Sequence, residues 1–423
     1  MHSFATIIGL AQKSLRNRAS TALLTILSIA ISLALLVGVE RIRSEARGSF
    51  ANTISGTDLI VGARGGDLNL LLYSVFRIGN ATNNVSWESY QDIASQNAVE
   101  WSIPISLGDS HRGFRVMGTN TDYFRYYSFG NKRKLEFAQG RPFAEVFDTV
   151  LGADVAAELG YALGDSIVIA HGAGSTSFLN HDDKPFTVTG ILKKTGTPVD
   201  RTVHVSLEGI EAIHIDWQSG ARVPGQSTSA ERALQMDLQP AAITAFLLGL
   251  KSRIATFSLL REINEYPQEP LLAIIPGVTL QQLWELLGVV EIALLVVSIC
   301  VVIAGLIGML TSILTSLNER RREMAILRAV GARPWHLLLL LISESTLLAA
   351  LGALLGMAVV VGATALSANM LEQRFGIFVA VRWPNAFEWL IAGIVVLAAA
   401  VVSLWPAWRA YRNALADGLT IRT

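Results

Sequence analysis

The chain has 423 residues, 51% of them hydrophobic and 16% charged, with positive mean hydropathy, a balance that fits a membrane protein carrying a sizeable soluble portion. Its 34 basic and 34 acidic residues cancel, so no nucleic acid or other polyanion is implied as a partner. The one cysteine, Cys300, excludes an intrachain disulfide and says nothing about compartment.

Residues 1–20 read as a cytoplasmic segment with an amphipathic helix over 4–15. The apolar run 21–39 is long enough to cross a bilayer core of about 30 Å at about 1.5 Å per residue. It exceeds the roughly 7–15 apolar residues of a signal peptide and ends in Val39-Glu40-Arg41 with no small-x-small cleavage pattern, which predicts an uncleaved anchor. Three further spans follow at 286–317, 335–370 and 389–408. Lys13, Arg16 and Arg18 precede the first span, Arg320, Arg321, Arg322, Arg328 and Arg333 lie between the second and third, and Arg409 and Arg412 follow the fourth. Basic flanks stay inside, so both termini (the tail being 409–423) and the loop 318–334 face the cytoplasm, with a short external loop at 371–388.

By elimination, residues 40–285 form one extracytoplasmic domain of ordinary size. Apolar residues spaced by three to four over 40–54 and 278–291 predict helical stalks that continue the first and second spans outward. Between them, strands are expected at 58–61, 112–118, 166–170, 186–192, 202–205, 243–248 and 271–275, and helices at 86–96, 153–159 and 252–266. The last helix lies between two strands and suggests a β-α-β unit, so the domain is mixed α+β. Residues 219–232, rich in Gly, Ser and Pro, read as a flexible insertion.

No G-x-x-x-x-G-K-[ST] phosphate loop, G-x-S-x-G elbow or H-E-x-x-H pair occurs, so no catalytic residue is assigned and the chain is not expected to be an enzyme by itself. The spans lack the charge pairs of ion relays. Glu344 either sits near the cytoplasmic interface beside the arginine loop or is a buried functional acid. Gly352 and Gly356, with Ala349 and Ala353 alongside, offer a small-residue face for close helix packing. In the loop, Met324, Ile326, Leu327 and Val330 share one side of a helical wheel, interrupted by Glu323, while Arg321 and Arg328 share the other and Gly331 can stop the helix. Either this charge only sets topology, or the helix docks in a groove of a cytosolic protein.

His171 and His181 bracket a polar stretch followed by Asp182 and Asp183. If 166–170 and 186–192 pair as a hairpin, His171, His181 and Asp182 can converge on a divalent metal such as zinc. His204 and His214-Ile215-Asp216 add to the histidine count of the domain. The spacing matches no standard metal motif, and external loops often carry solvated histidines, which is the plainer reading.

The run from Arg320 through Ala332 resembles the cytoplasmic loop of FtsX-like ABC transporter permeases, which include MacB-like and lipoprotein-releasing Lol-like membrane subunits. Glu344 followed by Gly352 and Gly356, and Pro406-Ala407-Trp408-Arg409-Ala410 leading to Ala414-Leu415-Ala416-Asp417-Gly418-Leu419, are similar to that family's third span and tail. Gly140-Arg141-Pro142-Phe143, Val150-Leu151-Gly152, Leu163-Gly164-Asp165-Ser166-Ile167 and 186–192 resemble its MacB-like periplasmic domain.

The resemblance implies a four-span permease in the inner (plasma) membrane, paired with an identical or related permease, surrounded by membrane lipid, and bound to a separate ABC ATPase that holds ATP and Mg. This chain would carry no cofactor of its own. It further implies that Arg321, Arg322, Glu323, Leu327, Arg328, Gly331 and Ala332 form the ATPase-coupling surface. MacB itself carries an ATPase ahead of its first span, whereas this chain starts just before that span, so MacB's specific export role is not carried over. The expected function is conversion of cytosolic ATP hydrolysis into periplasmic work on an envelope substrate or periplasmic protein. A metal-handling component and a non-transport receptor or scaffold are the alternatives.

Overall fold

A computed structural model describes residues 19–172, 181–218, 221–222, 228–319, 326, 329, 332–375 and 381–416. The chain divides into two compact units, one of residues 1–45, 288–373 and 379–423, the other of 46–287 with 374–378.

The sheet unit is built on an eleven-stranded mixed sheet. Its strands are β1 (Leu59–Ala63), β2 (Val99–His111), β3 (Phe114–Thr119), β4 (Phe137–Gly140), β5 (Asp148–Leu151), β6 (Ser166–Ile167), β7 (Ala170–His171), β8 (Phe186–Leu192), β9 (Thr202–Ser206), β10 (Ala245–Leu250) and β11 (Leu271–Ile274). They run in the order β11-β1-β10-β2-β3-β9-β5-β8-β4, with β7 also pairing β2 and β6 pairing β8. The β9–β3 and β8–β5 pairs are parallel. Strands β10 and β11 both pair antiparallel with β1, so the helix between them, Thr256–Asn264, closes a β-α-β crossover with β1 inserted in its middle. That helix starts later than 252, because a 3₁₀ turn over Arg253–Ala255 is held by the Ser252 hydroxyl accepting from Ile254 N–H.

The longest strand, β2, was not expected. Pro104 and Gly108 interrupt its pattern, yet Pro104 sits opposite Phe246 in register, and the strand turns into β3 through Arg112 and Gly113 at φ 48° and 89°. Positive φ at both central residues is the two-residue turn whose twist matches flanking antiparallel strands. The expected strand 166–170 is two short ones, because its first half pairs β8 and its second half pairs β2. Buried residues from Ile60, Ile103, Tyr123 and Leu247 on one side, and Val116, Val155, Phe186 and Val203 on another, fill the spaces around the sheet.

Gly140 ends β4 opposite Gly190 at φ +76°. A Cβ there would overlap the Thr189 carbonyl and come within 2.9 Å of Gly190 Cα, both backbone atoms that yield little. Gly140→Ala combines left-handed strain of about 1–2 kcal/mol with overpacking of about 1–3 kcal/mol. Urea unfolding of the full chain is expected to show a loss of about 2–5 kcal/mol, and an unchanged midpoint would overturn this account of the Gly140-Arg141-Pro142 turn.

The second unit packs four helices that are, among the described residues, long and apolar enough to cross a membrane: α1 (Ala19–Thr53), α2 (Pro276–Glu319), α3 (Pro334–Phe375) and α4 (Ala386–Ala416). Their shared interior includes Ile29, Leu33, Val37, Met309, Met357 and Ala399, while residues such as Leu24, Val296, Leu354 and Leu397 face outward. An apolar exterior is what lipid requires, and α-helices satisfy their backbone groups internally.

Candidate functional site

Within the helical unit, small residues set the contacts. A Cβ at Gly356 would lie 2.6 Å from Ala30 O, and one at Gly352 would lie 2.9 Å from Ile29 Cβ, so α1 and α3 touch along that face. Ser32 Oγ–H donates to Ser28 O in its own helix and to Val301 O of α2. Glu344 is half-buried on α3. Arg321, Arg322, Glu323, Leu327, Arg328 and Gly331 lie outside the described residues, as does the amphipathic segment 4–15, while Ala332 is half-buried just ahead of α3.

A charge cluster missed in the sequence lies just beyond the apolar runs of α1 and α4. Arg41, fully buried, donates from Nε to Glu388 Oε1 at 3.1 Å and from Nη2 to Oε2 at 2.8 Å, a two-pronged pair, and reaches Thr364 Oγ1 from Nη1 at 3.4 Å. Glu388 accepts from Asn385 N–H, and Asn385 Oδ1 accepts from Glu388 N–H, which closes the first turn of α4 as a capping box. Arg382 bridges Glu388 and Glu45.

In the sheet unit, four ligand-type side chains converge. Asp109 lies where the β2–β3 register shifts between Leu107 and Ser110, so Gly108 and Asp109 together oppose Val116 and the bulge re-aims the carboxylate. The same stretch pairs with β7, placing His171 opposite Asp109. His214 is the last residue of the helix Leu207–His214, whose first turn is capped by Ser206 Oγ accepting from Gly209 N–H. His181 is fixed through its N–H to Ile169 O and its carbonyl to Lys184 N–H. Buried Lys184 in turn pairs with buried Asp216 at 3.2 Å, fastening the segment after His181 to the chain just past His214.

The geometry is close. His171 Nδ1 stands 3.2 Å from Asp109 Oδ1 and 3.2 Å from His214 Nε2, and His214 Nε2 stands 3.5 Å from Asp109 Oδ1. With His181, one ligand atom from each residue lies within 4.8 Å of every other. His214 Nδ1 lies 2.8 Å from Ile210 O, so its N–H donates there and Nε2 turns to the cluster. Burial works to raise the Asp109 carboxyl, but hydrogen bonds from His171 and His214 prevail and hold it at about 2. Burial, reinforced by the charge of His214, pulls His181 down to about 4, so it is a neutral imidazole near pH 7.

Sequence reasoning named His171 and His181 as candidate ligands. The structure places Asp182 exposed and outside this group, and brings in Asp109 and His214. His214 was noted only as one more histidine, and nothing in the pattern around Asp109 singles it out. His204 is a core residue, fully buried with Nδ1 3.2 Å from Val150 O and its ring against Tyr123 and Phe124. His111 ties β2 to Val168 and Tyr161.

Two family models match this chain: the MacB-like periplasmic core domain over residues 22–241 and the FtsX-like permease C-terminal region over 295–415. The protein is therefore a membrane permease of the ABC-transporter class. It belongs to the FtsX-like permease family with a MacB-like periplasmic core domain. It is similar to the macrolide export ATP-binding/permease protein MacB of Marinobacter nauticus, 37% identical over 81 residues, which are 19% of this chain and 11% of that relative's length. Among solved structures, the periplasmic region of MacB from Actinobacillus actinomycetemcomitans aligns at 12% identity over 55% of this chain and 94% of its own, with a TM-score of 0.33. The extracellular domain of the noncanonic ABC-type transporter YknZ from Gram-positive bacteria aligns at 13% identity over 51% and 98%, with a TM-score of 0.30.

Proposed function

We propose that the chain converts ATP hydrolysis by a separate ABC ATPase into conformational work in the periplasm, exporting or extracting an envelope substrate from an inner-membrane complex of two permease subunits. The observation that carries this reading is the pairing of a matched periplasmic core with a matched permease region in one chain whose loop between α2 and α3 holds the Arg-Arg-Arg-Glu-Met run. Helix length supports it. At 35 and 44 residues, α1 and α2 extend about 52 and 66 Å, well beyond a bilayer core of about 30 Å, and an unbroken helix is stiff enough to transmit displacement. Exposed apolar residues along α2, such as Val289, Ile292, Val296 and Ile303, suit lipid or a second permease.

Amphipathic helices dock by seating an apolar face, and a proline at its end or a reversed charge beside it disturbs that seating. Gly331→Pro and Arg328→Glu are therefore expected to leave the permease abundant in membranes while ATP turnover of the copurified complex drops to that of the free ATPase. Full turnover in both variants would remove the coupling role from this loop.

A further inference from the structure

We propose that Asp109, His171, His181 and His214 form a binding site for a zinc ion within the MacB-like periplasmic core domain. The separations carry the proposal. Zinc bound at about 2.0–2.1 Å by nitrogen and oxygen in a tetrahedron sets its ligand atoms about 3.3–3.4 Å apart, whereas a square-planar ion of that bond length sets neighbours at about 2.9 Å. Asp109 Oδ1, His171 Nδ1 and His214 Nε2 are separated by 3.2, 3.2 and 3.5 Å, and His181 completes a group whose ligand atoms all lie within 4.8 Å of one another.

Orientation points the same way. Because His214 Nδ1–H donates to Ile210 O, the Nε2 atom faces Asp109 Oδ1 with either a lone pair or a second proton. A backbone carbonyl fixing the far nitrogen is the usual support of a metal-bound imidazole, and here it leaves Nε2 as the nitrogen aimed at the cluster. Three imidazoles and one carboxylate favour zinc over magnesium or calcium, which take oxygen ligands in larger number. The site is anchored and also reachable: Asp109 is 3% exposed, whereas the side chains of His171 and His214 are 35% and 24% exposed. An ion can enter from solvent without opening the sheet. Asp216 is excluded as a ligand, since Lys184 and Thr228 occupy its carboxylate.

The site does not rest on the transport reading, since it uses none of the loop residues, and either can fail alone. The test uses the full chain in detergent, stripped with a chelator and then dialysed against zinc, with bound metal measured by mass spectrometry and affinity by competition with a chromophoric chelator. One zinc per chain is expected, undiminished by excess magnesium. Cobalt should give the intense visible absorption of a four-coordinate site. His214→Ala and His171→Ala should each weaken zinc by at least about 100-fold, while Asp182→Asn leaves it unchanged. Zinc at 100 times its Kd should raise the melting temperature by about 5–10 °C. Substoichiometric zinc in the unmutated chain, or a weak six-coordinate cobalt spectrum, would overturn the site and leave a proton-linked histidine cluster. Those two readings need no variant to fold, and equal zinc content in folded His171→Ala and His214→Ala chains would overturn it as well.

Discussion

Arg41→Met is expected to cost about 3–5 kcal/mol, the largest single-residue effect in the helical unit. Glu388 is 1% exposed and is held by Arg41 through both carboxylate oxygens, so removing the guanidinium strands a buried charge that Arg382 reaches with one 3.3 Å contact. Attraction between the pair does little more than offset its desolvation; the loss comes from leaving one partner behind. Arg41→Met combined with Glu388→Gln should therefore recover most of the loss, because glutamine keeps the acceptor that closes the first turn of α4 while removing the stranded charge. Thermal unfolding in detergent separates these cases. A single variant that melts with the wild type, or a double variant no better than the single, would refute the pair's role.

Acid should destabilise the sheet unit through His204. Complete burial, with the charge of Arg77 adding to it, depresses this imidazole to about 3. In the unfolded chain it titrates near 6.5, so below that pH the unfolded state takes up a proton that the folded state refuses. The sign follows: the group costs nothing above about pH 6.5, and its penalty grows as pH falls until about pH 3. At pH 4.5 this amounts to about 3 kcal/mol. His204→Gln removes the titration, so its stability relative to wild type should improve by about that amount between pH 7.5 and 4.5, whatever it loses at neutral pH. Parallel pH profiles for the two proteins in denaturant titrations would show that His204 does not carry the acid response.

Local pattern made some elements readable. The helix Ala153–Leu159 and strand Phe186–Leu192 match their expected bounds, because each shows its own period and is bounded by glycine or turn residues. The apolar segments 21–39, 286–317, 335–370 and 389–408 fall inside helices, since a segment that must satisfy its backbone groups in lipid is legible residue by residue. Strand Val99–His111 was opaque for the opposite reason. Its interior proline and glycine break the local strand pattern, and its partner β10 lies far along the chain, so the pairing cannot be read from β2 itself.

The candidate site divides along the same line. His171 and His181 were visible as histidines around one polar stretch, but proximity in sequence pointed to Asp182, the nearest acid. The carboxylate that faces them comes from a bulge more than sixty residues away in the chain and the third imidazole from a helix terminus, brought in by β2–β7 pairing and by the Lys184–Asp216 ion pair. Arg41 and Glu388 are likewise separated by 347 positions, so each alone reads as an ordinary charge flanking a span. From the sequence itself came the class of protein, the apolar helices and the charged loop, because hydropathy and short motifs are properties of contiguous residues. Only the tertiary structure decided which distant polar side chains share one buried space, because burial and distance are set by pairings that no local pattern encodes.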